Sequence, residues 1–202
     1  MRLILASILY LAFLSPLVAQ DFSTRLWHKG WAVTMDGDTL RGDIKYDMEV
    51  NTIQILSDDK VYTYNSKKVM YVEFFDSLLK SYRQFYSIPY NVTGDFRAPI
   101  LFEVLYEGPT TLLAREKIVL ETDPYSQSYY YTGPGTTRER LSLTFFFAFK
   151  DGSIERYSGK KGELYAILDD HPGQLKDYIK KNKLDVNEVR DLVRIMAFYN
   201  SI

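Results

Sequence analysis

The sequence contains no cysteine and only two histidines in 202 residues. The first absence excludes disulfides, thiolate metal sites, iron–sulfur clusters, cysteine nucleophiles and a lipid-modified N-terminal cysteine. The second leaves His28 and His171 far apart in the chain and removes many catalytic constellations that need imidazole. No excess of positive charge is present either. Lys plus Arg is 25 against 26 for Asp plus Glu, a net charge of −1. A dedicated nucleic-acid binder needs a basic surface that neutralises phosphates, so that class is set aside. After residue 20 no apolar run approaches the roughly 20 residues of a membrane-spanning helix. Apolar and aromatic side chains are plentiful: 46% of the chain is hydrophobic and 15% aromatic, with 17 tyrosines. At this length about 70% of the unfolded chain's surface can be buried, so a core can form without covalent staples.

Residues 1–20, MRLILASILYLAFLSPLVAQ, read as a secretory signal peptide. Arg2 supplies the positive start, Leu3 to Leu14 an apolar stretch, Ser15-Pro16 a helix break, and Ala19-Gln20 a cleavage point. The expected location is outside the cytoplasm, in the periplasm or associated with the outer membrane or cell surface.

From Gly30 onward the pattern is that of strands. Trp31–Met35 and Thr39–Tyr46 flank Asp36-Gly37-Asp38, a hairpin signal because Gly accepts the positive φ of a tight turn. Asn51–Leu56, Val61–Tyr64 and Val69–Phe75 follow, the last with Val69, Tyr71, Glu73 and Phe75 on one face. Residues 77–90 fit either period, and their aromatic content with Pro89 favours a strand. Ile100–Tyr106 and Thr110–Ala114 form a second hairpin, which Ile118–Leu120 extends. Leu141–Phe149 is apolar on both faces, as a doubly covered central strand would be, and turns through Lys150-Asp151-Gly152 into Ser153–Tyr157. After Gly159 the period becomes helical. Asp170-His171-Pro172 reads as a helix start, Asp185 with Glu188 as a capping box, and Val189, Leu192, Val193 and Met196 as the stripe of a last helix.

Strands grouped before helices give an α+β fold, mostly β. The expectation is an antiparallel sheet, sandwich or partly open barrel of about eight to ten strands, then short C-terminal helices covering an open edge or mouth. The domain reading is a signal peptide at 1–20, a β-rich domain at 21–159, and a helical segment at 160–202 packed on the same domain.

Three segments together, "GWAVTMDGDTLRGDIKY" (30–46), "LFEVLYEGPTTLL" (101–113) and an ending through "DHPGQL" to "FYN" (198–200), resemble an uncharacterised family of secreted Bacteroidota envelope proteins. Similar segments occur in the N-terminal portion of some outer-membrane β-barrel proteins of that group. The resemblance implies a cell-envelope location and supplies no catalytic residues.

Few residues suggest chemistry. Asp36, Asp38 and Asp43 lack the ligand spacing of a calcium loop and read as a turn. Asp169-Asp170-His171 reads as helix capping, and His28 as a surface or linker residue. Ser158-Gly-Lys-Lys-Gly162 departs from a phosphate loop and reads as a strand-to-helix turn. Arg83, Arg97, Arg138 and Arg140 read as scattered among strand ends and loops. The best contact candidate is the run holding Tyr125, Tyr129, Tyr130 and Tyr131, because tyrosine joins large apolar area to a hydroxyl. No catalytic residue, cofactor or metal is indicated. The reading is a non-catalytic protein-interaction module with an envelope or outer-membrane protein as partner. A glycan- or small-ligand-binding protein is the alternative, and a carboxylate-based hydrolase the third possibility.

Overall fold

The structure is a computed structural model that describes residues 21–94, 96–122 and 137–202. Tyr125, Tyr129, Tyr130 and Tyr131 lie outside the described residues. A short 3₁₀ turn, Ser23–Arg25, leads into ten antiparallel strands. They are β1 (His28–Thr34), β2 (Thr39–Asp47), β3 (Thr52–Ser57), β4 (Lys60–Asn65), β5 (Val69–Asp76), β6 (Ser81–Thr93), β7 (Phe96–Tyr106), β8 (Thr111–Thr122), β9 (Thr137–Ala148) and β10 (Ile154–Tyr157). Three helices follow, α1 (Lys161–Ile167), α2 (Pro172–Asn182) and α3 (Val189–Tyr199). The strands form a single sheet in the order β10-β9-β8-β7-β6-β5-β1-β2-β3-β4, which is not closed into a barrel. Among the described residues no helix is long and apolar enough to cross a membrane.

The ambiguous 77–90 segment is strand. Pro89 is tolerated because pairing with β5 ends at Tyr71–Tyr86, so Pro89 has no neighbour there to miss its N–H. Leu141–Phe149 is covered on both sides only at Phe145–Phe147, its start at Leu141 being exposed, and it lies second from the sheet edge. Phe145 and Phe147 face the helices, while Phe146 packs outward against Phe102 and Tyr90.

Period-two alternation gives the sheet an inner and an outer face. On the inner face of β8–β10, Leu112, Ala114, Phe145, Phe147 and Tyr157 pack against Leu164, Leu175, Leu192, Ile195 and Met196 of the helices. The helices thus cover a face of the sheet and not an edge or mouth. Their apolar stripes find matching side chains on the face, whereas an edge offers only backbone polar groups. In the other half the sheet curls over its own inner face. Ala32, Ile44, Tyr46, Ile53, Ile55, Val72, Phe74 and Phe85 fill that concavity.

The curl brings distant strands together. β7 and β8 pair from Tyr106–Leu112 only to Glu103–Ala114, and beyond this point the hairpins β6–β7 and β8–β9 diverge. The β2–β3 turn fills the wedge between them. Asn51 Oδ1 accepts from the Leu101 N–H at 3.1 Å and from Arg115 at 2.8 Å, and Arg115 also donates to the Met48 carbonyl.

α2 begins at Pro172 as the sequence suggests, but the capping roles differ. Asp185 makes no capping box, since α3 begins at Val189 and its N-cap Glu188 makes no side-chain cap. Asp185 Oδ1 instead accepts from the Asn187 N–H, and Asp191 reaches back to the Asp185 N–H. Asp170 does not cap α2. It accepts a hydrogen bond from the Tyr199 hydroxyl at 3.1 Å.

Candidate functional site

Antiparallel pairing of β1, β5 and β6 sets Trp31 beside Glu73, Glu73 beside Gln84, Tyr71 beside Tyr86, and Phe75 beside Tyr82. Directly opposed residues share a face, so these side chains gather on the outer side of the sheet. Trp31 lies 5.0 Å from Tyr71 between ring centroids, Tyr71 4.7 Å from Tyr86, and Phe75 5.2 Å from Tyr82. Glu73 sits among the rings. It accepts from Trp31 Nε1 at 3.1 Å, from the Tyr71 hydroxyl at 2.7 Å and from Gln84 Nε2 at 2.8 Å. The bonds from Gln84 and Tyr71 outweigh burial and hold its carboxyl below the usual range, so it is ionised at neutral pH. Burial pushes Tyr71 up, and the Glu73 carboxylate pushes it further.

The rings beside the β5–β6 turn are open to solvent, Tyr82 70% and Phe75 40% exposed, and Tyr86, at the far end of the pairing beside Tyr71, is 37% exposed. Leu78 and Leu79 of the adjoining turn are exposed as well. Large apolar groups clustered on one face are unusual for a surface with nothing to bind. The alternation of Tyr71, Glu73 and Phe75, and of Tyr82, Gln84 and Tyr86, is visible in the sequence. Their meeting depends on strand register, which is not.

Behind this face, on the inner side, lies a charged cluster that sequence reasoning missed. Arg83 lies near the start of β6, as the sequence suggests, but its side chain is buried and points into the core. It donates to both oxygens of Glu103 at 2.7 and 2.6 Å, to Glu116 at 2.8 Å and to Asp76 at 3.3 Å. It also donates to the Tyr46 hydroxyl, which in turn donates to Glu116. The guanidinium lies over the Tyr46 and Phe85 rings. Five strands meet at this one side chain. Burial favours neutral Arg83, but the bonds and charge of Glu103 more than offset it and push Arg83 up. Burial raises Glu103 despite its pairing with Arg83. Burial also acts to raise Asp76, yet hydrogen bonds from Ser23 and from the Leu79 and Leu78 N–H groups, with the Arg83 charge, hold it below its ordinary value.

His28 belongs to the same interior and is not a surface or linker residue. It is 2% exposed, stacks on Phe74 at 4.7 Å, and its Nε2 bonds to the Ser23 carbonyl at 2.7 Å. The remaining sequence candidates do not converge. Arg97 bonds to Asn91, Arg138 and Arg140 pair with Glu121, and Ser158 bonds to Glu163 in the turn before α1.

Two hollows flank the diverging hairpins. One of about 440 Å³ is bounded by Glu49, Tyr90, Ile100, Arg115, Lys117 and Arg156. Arg115 is held there by three hydrogen bonds, to Met48, Asn51 and Leu101, which fix its guanidinium to the protein. The other, about 570 Å³, lies where β10 stops short of β9, beside Arg140, Ser158 and Asn187. No family model, curated protein or solved structure matches this chain.

Proposed function

We propose that the chain is a non-catalytic module of the bacterial cell envelope, exported by its N-terminal segment, that binds another envelope protein through the outer face of β1, β5 and β6. The observation that carries this reading is the exposed pair Phe75 and Tyr82 beside the turn holding Leu78 and Leu79, continued along the same face by the exposed Tyr86. Rigid rings with few torsions make contact at low entropic cost, and tyrosine hydroxyls tolerate water before the partner arrives. The leader and the family resemblance support the location. A hydrolase gains no support where carboxylates do converge, because Arg83 occupies the space between Asp76, Glu103 and Glu116 and the cluster is closed to solvent.

The test is cross-linking of the purified chain to isolated envelope fractions, with Tyr82→Ala/Tyr86→Ala as control. A discrete adduct with the wild type, lost in the variant at unchanged thermal midpoint, supports the reading. An adduct insensitive to the substitutions, or none, removes it.

A second reading, a glycan-binding face, is favoured by the Trp31–Glu73–Gln84 set, which fixes hydrogen-bonding groups among aromatic rings. Glycan-array binding abolished by Gln84→Ala would select it over protein docking.

A further inference from the structure

The hollow of about 440 Å³ has two unlike walls. One comes from the β6–β7 hairpin and is mainly apolar, with Tyr90, Val92 and Ile100. The other comes from β8, β9 and β10 and is cationic. Phe146 pairs with Leu113 on one side and Arg156 on the other, so Arg156 shares the outer face with both. Arg115 and Lys117 follow Leu113 at steps of two along β8 and take the same face. All three cations border the one concavity.

Ion pairs do not neutralise them. Lys117 and Arg156 are exposed, and neither joins an ion pair among the described residues. Arg115 contrasts with Arg83. Arg83 is enclosed by Asp76, Glu103 and Glu116, whereas Arg115 has only the uncharged oxygens of Met48, Asn51 and Leu101. Burial lowers the Arg115 pKa, and no neighbouring acid acts the other way. Its Nη1 serves Asn51 and Leu101, and one N–H of Nη2 serves Met48. Nε–H and the other Nη2–H have no partner among the described residues, and Nε is not sealed from solvent. Nε and Nη2 flank one edge of the guanidinium, and such an edge grips two oxygens of an oxyanion. The opposing carboxylate at the rim is Glu49, which pairs with none of the three cations. The Glu116 carboxylate is engaged by Arg83 and Tyr46.

We propose that this hollow binds a small amphiphilic anion, its carboxylate or phosphate head gripped by Arg115 and drawn in by Lys117 and Arg156, its ring-sized apolar body against Tyr90 and Ile100. The guanidinium is already fixed by its three hydrogen bonds, so little side-chain entropy is lost on binding. The site lies farther along β6 than Tyr86 and does not depend on protein docking at the β1–β5–β6 face.

NMR of the purified chain, following the Arg115 Nε–H and the backbone amides, reads binding of phenyl phosphate and of phenylacetate. At least one probe should shift Arg115 Nε–H together with the amides of Lys117, Thr144 and Arg156, in a saturable manner, and the tighter of the two identifies the head group. Inorganic phosphate and benzyl alcohol, which carry head and body separately, should each bind more weakly by roughly tenfold or more. Lys117→Glu/Arg156→Glu should weaken the bound probe by roughly tenfold or more, and Glu49→Gln should strengthen it by roughly twofold to fivefold, with thermal midpoints unchanged because all three side chains are exposed. The proposal is overturned if neither probe shifts Arg115 Nε–H, if the charge-reversed variant binds like the wild type, or if inorganic phosphate binds as tightly as phenyl phosphate and phenylacetate.

Discussion

Arg83 shows how one residue governs the interior. Removing a cation from a buried pair leaves uncompensated charge, at about 3–5 kcal/mol. Arg83→Met strands Asp76, Glu103 and Glu116 at once. In the wild type Asp76 is held low, so its stabilisation is full above the ordinary carboxylate value and is lost as pH falls through the lower folded value. Glu103 is raised by burial and acts in reverse, its contribution fading as pH rises from the ordinary value through the raised one. Without the guanidinium Glu103 loses the bonds and charge that oppose its burial, so its upward shift grows. The variant should therefore gain stability on acidification from about pH 7 to about pH 5. Urea midpoints at both pH values check this, and an unchanged midpoint and slope would remove Arg83 from the role. Nothing in Tyr82-Arg83-Gln84 announces that arginine points inward, and its acids come from three separate strands. His28 was misread for the same reason, because its burial comes from Phe74, 46 positions away by numbering. A buried polar residue is legible only with the partners that satisfy it.

Among the elements, α3 is tied to the sheet by Asn200, which behaves like a short length of strand. Its Oδ1 accepts from the Thr110 N–H at 2.8 Å, and its Nδ2 donates to the Thr110 carbonyl at 2.9 Å. Thr110 is buried, so Asn200→Ala leaves both groups without partner or water, at about 1–3 kcal/mol. A thermal midpoint equal to that of the wild type would show the clamp to be dispensable. β1 and β2 meet at Gly30–Gly42, where the chain passes close to its neighbours. A Cβ on Gly30 would press on the Glu73 carbonyl and come within 2.6 Å of Phe74 Cβ. Gly30→Ala should cost about 1–3 kcal/mol by overpacking, with Phe74 displaced from His28. Near-UV circular dichroism unaltered by the change would contradict that. Elements closed by local turns were readable: Asp36-Gly37-Asp38 and Asp151-Gly152 each place glycine at positive φ where the chain reverses. The helices' docking place was not, because an apolar stripe states that a surface is covered and not which one.

For the whole molecule the decisive feature is the wedge between the two long hairpins. An open sheet of ten strands has two inner-face cores, one closed by helices and one by curl. They are joined where Tyr46 of β2 reaches Glu116 of β8, and where Asn51 bridges Leu101 and Arg115. Strand propensity foretold the sheet, but the curl follows from contacts between residues dozens of positions apart, which periodicity does not encode. Asn51 is the place to test the joint, because it also sits at φ 54°, a conformation asparagine and glycine accept better than alanine. Asn51→Gly keeps the backbone and deletes both bridges, whereas Asn51→Ala adds strain to the same loss. The glycine variant should therefore be less stable than the wild type, and the alanine variant less stable again, by about 1 kcal/mol. Hydrogen exchange separates the joint from the cores. In Asn51→Gly the Leu101 amide should exchange roughly tenfold faster or more, with amides of β8 and β9 beside the helices retaining their protection relative to global unfolding. If instead every amide accelerates by one common factor, the two cores open together and the wedge is not a separable joint.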